Sequence, residues 1–315
     1  MPEYTVEVKN LTKRFGDFTA VDSINFAVRK GDIFGFLGAN GAGKSTTIRM
    51  LCALLNPTSG TARVGGHDIL FESEKVKENI GYMSQKFSLY EDLTVEENIH
   101  FFGGVYGLPR AKVRERMRWI LEMAGLRGRE KSLTRQLPVG WKQRLALGCA
   151  ILHEPKIVFL DEPTAGVDPA SRRNFWELIN QLSEKGVTVF VTTHYLNEAE
   201  YCNDIRLIHA GKIVIGGSPE QLKKGNIKNP ILEVECDRVV DALEILQKEP
   251  WVLETSIFGT YVHVSVEDEE KGRSRVRQRL SENNIAVKRM ERIRPSLEDV
   301  FIHKIEEKSK EFQER

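Results

Sequence analysis

Eight residues decide the fold of this 315-residue chain: GANGAGKS, at Gly38–Ser45. An apolar run at Gly31–Leu37 precedes them and predicts a buried strand. A stretch with helical periodicity, Lys44–Leu55, follows, and Asn56 and Pro57 are expected to end that helix. The pattern Gly-x4-Gly-Lys-Ser between a strand and a helix indicates a phosphate-binding loop, or P-loop.

The chemistry of a P-loop explains these residue types. Gly38, Gly41 and Gly43 lack a Cβ, so the backbone can wrap closely around a polyphosphate with its amide groups pointing inward. The helix that begins at Lys44 presents the positive end of its dipole to the anion. We expect Lys44 to reach the β- and γ-phosphates and the Ser45 hydroxyl to bind Mg²⁺. The nucleotide-binding residues predicted from this loop are Gly38, Asn40, Gly41, Gly43, Lys44, Ser45 and Thr46.

Two carboxylates follow a second apolar run. Asp161 ends the run Ile157–Leu160, and Glu162 comes next. Without a P-loop, such a pair is more often a helix cap or a solvated turn. Beside a P-loop, the first carboxylate is placed to hold the Mg²⁺ shell, and the second can orient the attacking water.

The first two thirds of the chain alternate short β-rich runs with helical stretches, the pattern of an α/β domain. Val187–Thr192 predicts another buried strand, and Pro169–Lys185 predicts the helix that crosses over to it. A helical block is expected over roughly Thr94–Leu152 and begins with a capping-box pair, Thr94 and Glu97.

A polar segment rich in Gly, Asn and Pro, Lys223–Pro230, predicts a linker. Beyond it, residues 231–293 show the order strand, helix, strand, strand, helix, strand, which is the ferredoxin-like arrangement. The expected layout is a cassette at 1–222, a linker at 223–230, an accessory, regulatory or dimerisation domain at 231–303 and a charged tail at 304–315. His263 lies on an alternating strand, and we expect it at the surface or in packing rather than in catalysis.

Composition excludes several classes of protein. The formal net charge of +1 argues against binding nucleic acid through bulk charge. The longest stretch without a charged residue, Met50–Ala62, has 13 residues, whereas a membrane-spanning helix needs about 20. The first ten residues alternate polar and apolar and carry charges, so we expect no secretory signal. The four cysteines lie far apart, which favours reduced thiols over a disulfide or zinc site.

Taken in order, these motifs resemble the ATP-binding-cassette (ABC) ATPases, the ATP-binding subunits of transporters, over about Tyr4–Gly217. Phe15 matches the aromatic residue that stacks on adenine, and Gln85 matches the Q-loop glutamine. Asp168 matches the D-loop, and His194 matches the switch histidine. The resemblance implies a P-loop NTPase cassette with a RecA-like core, an antiparallel β subdomain and a helical subdomain. A small C-terminal α+β ferredoxin-like domain would follow it.

The resemblance also implies roles for these residues. Gln85 would sense the γ-phosphate, join Ser45 and Asp161 around Mg²⁺ and touch the membrane partner. His194 would contact the γ-phosphate, and Asp168 would cross a dimer interface. With Glu162 and Lys44, Gln85 and His194 complete the predicted catalytic set, and ATP and Mg²⁺ are the implied cofactors.

The sequence departs from the family in the signature motif. The family's Leu-Ser-Gly-Gly-Gln appears here as Leu-Pro-Val-Gly-Trp at Leu137–Trp141. In the family this segment faces the γ-phosphate bound by the opposite subunit. Pro138 offers neither a hydroxyl nor an N–H, although the Gly140 amide and the helix dipole remain. Losing one hydrogen bond to a charged group costs ~1.5–3 kcal/mol, enough to slow a site by about one to two decades.

Two assemblies fit this departure. A homodimer would have two weakened ATP sites, whereas a heterodimer with a complete signature in its partner chain would have one strong site and one weak site. We favour the homodimer slightly, because Gly140 and the residues around it survive. The resemblance further implies a separate transmembrane permease subunit and a cytoplasmic location, peripheral on the inner face of the membrane.

Two segments resemble the drug- and ion-export branch of the family, namely Phe101–Leu108 and Pro295–Phe301. They indicate export, most simply of drugs, but do not identify the cargo. Four apolar residues around Gln85 are a candidate socket for a cytoplasmic helix of the permease, or else they pack the helical block. They are Met83, Phe87, Leu89 and Tyr90.

Two other functions remain open at this point. The chain could be an ABC ATPase that acts on ribosomes or nucleic acid, but such proteins usually carry two cassettes or long coiled coils. Its basic run, Lys271–Arg279, follows Glu267–Glu270 and lacks aromatic residues, which is typical of a solvated helix, so we expect no nucleic-acid partner. The chain could also be a regulatory subunit that scarcely hydrolyses ATP, against which Glu162 and His194 argue.

Overall fold

The computed structural model describes residues 3–85, 89–225, 227 and 229–313. Contacts divide the chain into two compact units, Met1–Gly217 and Ser218–Arg315. Within the described part of the chain, every helix is too short or too polar to span a bilayer.

The first unit contains ten strands and six helices among its described residues. The strands are β1 (Tyr4–Phe15), β2 (Phe18–Arg29), β3 (Ile33–Leu37), β4 (Ser59–Val64), β5 (His67–Asp68), β6 (Ile80–Met83), β7 (Ile157–Asp161), β8 (Thr188–Thr193), β9 (Asp204–His209) and β10 (Lys212–Gly217). The helices are α1 (Lys44–Leu51), α2 (Ser73–Asn79), α3 (Val95–Val105), α4 (Arg110–Met123), α5 (Val139–Ala150) and α6 (Pro169–Glu184).

Two sheets form the core of this unit. Six strands form one sheet in the order β10-β9-β3-β8-β7-β6, in which all neighbours are parallel except β10 and β9. An antiparallel sheet of order β2-β1-β4-β5 packs against it, with the ring of Phe26 stacked 5.3 Å from that of Phe34. Every residue of β3, β7 and β8 is buried, as their continuous apolar sequences predict. The loops that follow these three strands therefore emerge at the same edge of the sheet.

The helical block consists of α3, α4 and α5, which contact one another. The predicted capping box is present at its start. The Thr94 hydroxyl accepts from the backbone N–H of Glu97 at 3.3 Å, and the Glu97 carboxylate accepts from the Thr94 N–H at 2.8 Å. With the two sheets, this block confirms the predicted cassette fold.

Helix α1 is shorter than predicted, since it ends at Leu51 rather than Leu55. Ala53 adopts a left-handed conformation with φ of 54°. The N–H of Leu54 donates to Arg49 O at 2.9 Å, and the N–H of Ala53 donates to Met50 O at 3.0 Å. This pair of bonds is a Schellman-type end, so the helix terminates before it reaches the Asn-Pro pair.

The second unit is a four-stranded antiparallel sheet with helices. In chain order its elements are α7 (Pro219–Gly225), β11 (Ile231–Cys236), α8 (Val239–Leu246), β12 (Val252–Phe258), β13 (Tyr261–Val266), α9 (Glu269–Glu282), β14 (Val287–Ile293) and α10 (Leu297–Gln313). The strand order β12-β13-β11-β14 and the βαββαβ sequence of β11–β14 confirm the ferredoxin-like arrangement. Helices α8 and α9 cover one face of the sheet.

The ends of this unit differ from the predicted layout. Helix α7 occupies the start of the expected linker and contacts α10, so the division between units falls after Gly217 rather than after residue 222. A capping pair starts α7, because Ser218 and Gln221 each accept from the other's backbone N–H. Asn226 and Lys228 of the expected linker lie outside the described residues. Helix α10 continues through most of the segment expected as a charged tail.

His263 is buried, not at the surface, with only 5% of its area exposed. Its Nδ1 lies 2.9 Å from Asp299 Oδ1 and its Nε2 lies 3.3 Å from Glu233 Oε2. Asp299 also caps α10 by accepting from the N–H and the hydroxyl of Ser296, each at 2.7 Å. Burial acts to lower the pKa of His263, but the two carboxylates outweigh it and raise that pKa above its usual value. His263 thus fixes the start of α10 to the sheet.

We expect His263→Gln to lower the free energy of unfolding of the second unit by about 2 kcal/mol at pH 6 and by much less at pH 9. Because the pKa of His263 is raised in the folded state, the charged imidazole stabilises the folded unit, and this contribution is complete below the unfolded-state pKa of about 6.5. The contribution is lost as the pH rises through the folded-state pKa. Urea titration of the full chain, read by pulsed hydrogen exchange at β13, measures this difference. His303→Gln, which removes a more exposed pair with Glu254, is the control. A loss of equal size at both pH values would contradict the prediction.

Candidate functional site

The P-loop connects β3 to α1 at the edge where β7 and β8 also end. Two of its glycines are required because a larger side chain would collide with neighbouring atoms. A Cβ on Gly38 would lie 2.3 Å from Ile208 O, and one on Gly43 would lie 2.5 Å from Ala20 O. Gly43 also has φ of 112°, in the left-handed region. The loop therefore holds its shape only with glycine at these two positions.

Lys44, the first residue of α1, is 4% exposed. Its Nζ donates to Gly38 O at 2.7 Å and to Ala39 O at 3.1 Å. The same atom lies 3.1 Å from Glu162 Oε1. A buried ammonium needs such partners, since burial without them strongly disfavours the charge.

Glu162 is the centre of the site, and it is 6% exposed. Besides Lys44 at Oε1, its Oε2 accepts from Gln85 Nε2 at 3.2 Å and lies 3.1 Å from His194 Nδ1. Its backbone has φ of 48°, which costs a non-glycine residue about 1–2 kcal/mol, and its N–H donates to Thr192 Oγ1 at 3.0 Å. The four residues of the predicted catalytic set thus meet at one carboxylate.

Asp161 lies beside Glu162 at the end of β7 and is 3% exposed. Its Oδ1 accepts from Thr192 Oγ1 at 2.6 Å and from Ser45 Oγ at 3.1 Å. Burial raises the pKa of Asp161 above its ordinary value, and these two hydrogen bonds oppose the rise. A hydroxyl and a carboxylate in contact are the oxygen ligands that Mg²⁺ prefers. Gln85, the third predicted ligand, contacts Glu162 in the same cleft.

The cleft around these residues includes most of the predicted nucleotide-binding set. Phe15 is half exposed, with Lys13 Nζ 5.1 Å above its ring, so it is not a core residue. Phe18, which the sequence analysis did not consider, is also exposed in this cleft. The lining residues are Phe15, Phe18, Ala20, Asn40, Gly41, Gly43, Lys44, Ser45, Thr46, Gln85 and Glu162.

Three predicted residues lie away from this cleft, at the starts of α5 and α6. Pro138 is the N-cap of α5, and a Cβ on Gly140 would lie 2.7 Å from the side chain of Ser171. Asp168 is the N-cap of α6 and accepts from Ser171 N at 2.9 Å. These three residues therefore form a second group. None of them lines the P-loop cleft of its own chain.

The candidate socket beside Gln85 needs a correction. Met83 and Leu89 are buried, so they pack the interior rather than line a socket. Phe87 lies outside the described residues. Tyr90 is half exposed and meets Phe101 of α3 edge to face, with ring centroids 4.5 Å apart. Among the described residues of this region, Tyr90 and Phe101 are the aromatic pair that remains exposed.

Sequence reasoning missed four polar residues that support the site. Thr192 binds both Asp161 and Glu162, and its signal was a polar side chain near the end of a buried strand. Thr164 and Glu198 are buried behind the site with the partly exposed Arg172 beside them, and no local pattern marks these three residues.

Two basic residues of the run on α9 are paired with carboxylates. Arg273 contacts Glu269 at 2.9 Å, and Arg279 contacts Glu249 at 2.6 Å. The expectation that the chain has no nucleic-acid partner stays a prediction.

Three family models match parts of the chain, one of them, described as AAA domain, putative AbiEii toxin, Type IV TA system, at residues 142–198. The model described as ABC transporter matches residues 21–165, and the model for the C-terminal domain of ATP-binding protein DrrA1-3-like matches residues 217–305.

Several characterised relatives align with the cassette or with nearly the whole chain. The "Probable multidrug ABC transporter ATP-binding protein YbhF" of Escherichia coli strain K12 is 56% identical over 221 residues, 70% of this chain but only 38% of that protein. The linearmycin resistance ATP-binding protein LnrL of Bacillus subtilis strain 168 is 40% identical over 69% of this chain and 70% of its own length. The daunorubicin resistance ATP-binding protein DrrA3 of Streptomyces coeruleorubidus is 33% identical over 96% of both chains.

Solved structures agree with the fold. The cbiO1 protein of Clostridium perfringens, part of the ABC transporter complex cbiONQ, has a TM-score of 0.65 at 28% identity and covers 70% of this chain and 90% of its own. The ATP-binding cassette MJ0796, a dimer in a post-hydrolysis state bound to ADP and Pi, has a TM-score of 0.62 at 26% identity. The alignment covers 68% of this chain and 98% of the MJ0796 chain. With the P-loop and the residues that meet at Glu162, these similarities establish that the chain belongs to the ABC transporter family, with an ATP-binding cassette followed by a DrrA-like C-terminal domain.

Proposed function

We propose that this chain hydrolyses Mg·ATP and thereby drives drug export through a separate transmembrane permease. The observation that carries the proposal is the contact of Lys44, Gln85 and His194 with the buried carboxylate of Glu162, at the mouth of a P-loop. The multidrug and drug-resistance names of the relatives support export as the purpose. Attachment to the permease would hold the chain on the inner face of the membrane.

Each group in the cleft has a chemical task in this proposal. Phe15 stacks on adenine, and the loop amides hold the phosphates together with Lys44. Ser45, Asp161 and Gln85 would hold Mg²⁺, which when bound would neutralise the negative charge that develops on the phosphates.

Glu162 then acts as the general base. Its Oε1 now lies 3.1 Å from the ammonium of Lys44, with which it forms an ion pair. When the ammonium turns to the phosphates, that oxygen becomes available to a water molecule, which it orients for in-line attack on the γ-phosphorus. His194, on the other carboxylate oxygen, steadies the γ-phosphate. Attack breaks the bond between the γ-phosphorus and the bridging oxygen and leaves ADP and phosphate.

The second group of residues supports a two-subunit ATP site. Pro138 and Gly140 at the start of α5, and Asp168 at the start of α6, lie outside their own chain's cleft. In a head-to-tail dimer they would complete the partner's cleft, and MJ0796 is a dimer of this family. The surviving Gly140 favours a homodimer over a heterodimer.

The exposed rings of Tyr90 and Phe101 support a permease contact close to the ATP site. The backbone of Tyr90 is fixed to the helical block, since its N–H donates to Asn98 Oδ1 at 2.9 Å and its carbonyl accepts from Asn98 Nδ2 at 3.0 Å. Tyr90 follows Gln85 by five positions in the chain. A permease helix at this surface would therefore bind near the segment that carries Gln85, whose side chain contacts Glu162.

Phosphate release tests the proposal. Glu162→Gln keeps the size of the side chain but removes the base, so we expect the rate to fall by at least about 100-fold while ATP binding persists. Glu122→Gln, which neutralises an exposed carboxylate on α4, is the control and should keep the wild-type rate. Wild-type protein without ATPase activity, or a Glu162→Gln variant that keeps more than about a tenth of it, would contradict the proposal.

The oligomeric state of the same variant tests the homodimer. In saturating Mg·ATP, a variant that cannot hydrolyse should remain closed, and light scattering should give twice the 35.9 kDa mass of one chain. A 35.9 kDa species under these conditions would count against the homodimer and in favour of a different partner chain.

The altered signature gives a further prediction. Pro138→Ser restores a hydroxyl and an N–H, and we expect kcat for ATP hydrolysis to rise by about 10- to 100-fold. Pro109→Ser is a matched control, because Pro109 is likewise the N-cap of a helix, α4. An unchanged rate in Pro138→Ser, or an equal rise in both variants, would show that Pro138 does not limit hydrolysis.

A further inference from the structure

A group of buried polar residues lies behind Glu162 and is not used by the mechanism above. Glu198 is 1% exposed and belongs to the 3-10 turn Leu196–Tyr201, just after the switch histidine. Its Oε1 accepts from Thr164 Oγ1 at 2.5 Å, and Arg172 Nε lies 3.5 Å from the same oxygen. The group joins the loop after β7, the first turn of α6 and the turn after β8.

A carboxylate in this position is costly unless its partners satisfy it. Within the described residues, neither Glu198 Oε2 nor Arg172 Nε has a hydrogen-bond partner. A buried network that is only partly satisfied is unfavourable for stability alone, so its presence needs another explanation.

Arg172 connects this group to the D-loop and to the switch histidine. Its Nη2 donates to Val167 O at 3.4 Å, in the residue before Asp168. Its guanidinium lies 4.1 Å above the ring of Tyr195, and that ring lies 4.1 Å from the ring of His194. A continuous series of contacts therefore runs from Glu198 through Arg172 and Tyr195 to His194.

We propose that Glu198 is a positioning residue for ATP hydrolysis: with Thr164 and Arg172, it holds the His194 loop at a fixed distance from the loop that carries Glu162 and Asp168. It touches neither nucleotide nor water. A change in the D-loop moves Val167 and hence Arg172, so the position of His194 depends on the conformation of the D-loop. This inference rests on the proposed ATPase function.

The first test is steady-state kinetics of Glu198→Gln. The amide keeps an acceptor for Thr164 but removes the charge that attracts Arg172, so we expect kcat to fall about tenfold while KM for Mg·ATP stays within about twofold. Glu200→Gln is the matched control, because it removes an exposed carboxylate from the same turn, and it should keep wild-type kcat. Circular dichroism and thermal unfolding confirm that both variants are folded.

A second variant tests the same contacts without removing a buried charge. Arg172→Lys keeps the cation but loses the bond to Val167 and the planar contact with Tyr195, and we expect kcat to fall severalfold. Its side chain is 20% exposed, so the substitution is tolerated more easily than one at Glu198. If the two residues act as a unit, the fold-decrease in kcat of the double variant is smaller than the product of the two single fold-decreases.

A spectroscopic readout separates this inference from the proposed function. The ring signals of His194, assigned by their loss in His194→Ala, should shift in Glu198→Gln and stay unchanged in Glu200→Gln, whether or not the chain hydrolyses ATP. Inactive wild-type protein with the expected shifts would reject the ATPase proposal alone. A folded Glu198→Gln variant with wild-type kcat and unshifted His194 signals, or with a raised KM and unchanged kcat, would overturn the positioning role.

Discussion

The rest of the cassette depends on a carboxylate that is held out of water. Glu162 is buried and in a left-handed backbone conformation, and both features are unfavourable on their own. They persist because Lys44, Gln85 and His194 bring three separate segments to its two oxygens. In this chain a parallel sheet whose strands end at one edge brings those segments together, so the position of the site follows from the fold.

The same constraint explains which parts of the site can change. In the proposed mechanism, Lys44 turns toward the phosphates, and that movement would release the Glu162 oxygen with which it now pairs. The other two partners of Glu162, Gln85 and His194, lie on loops, and each loop is followed by residues that could contact another subunit. Gln85 precedes the exposed Tyr90, whereas His194 contacts Tyr195 and through it the D-loop group. A permease and a second subunit would therefore act on the same carboxylate from different sides.

The sequence predicts the site residues that directly follow strands, because the ends of parallel strands meet at one edge. Asp161, Glu162 and His194 are of this kind. It does not predict Glu198, whose role arises from packing between segments far apart in the chain. For His263 the sequence left both the surface and a packed position open, and the structure shows the packed one. Strand alternation identifies two faces of a sheet, but it does not reveal that α10 covers the second one.

A crystal structure of the Glu162→Gln variant with Mg·ATP would show whether the side chain at 162 exchanges Lys44 for the attacking water. We expect the γ-phosphate within hydrogen-bond distance of Lys44 and His194, and a water molecule between residue 162 and the γ-phosphorus, in line with the leaving oxygen. A structure in which the side chain at 162 still holds Lys44, with no water near the γ-phosphorus, would contradict it.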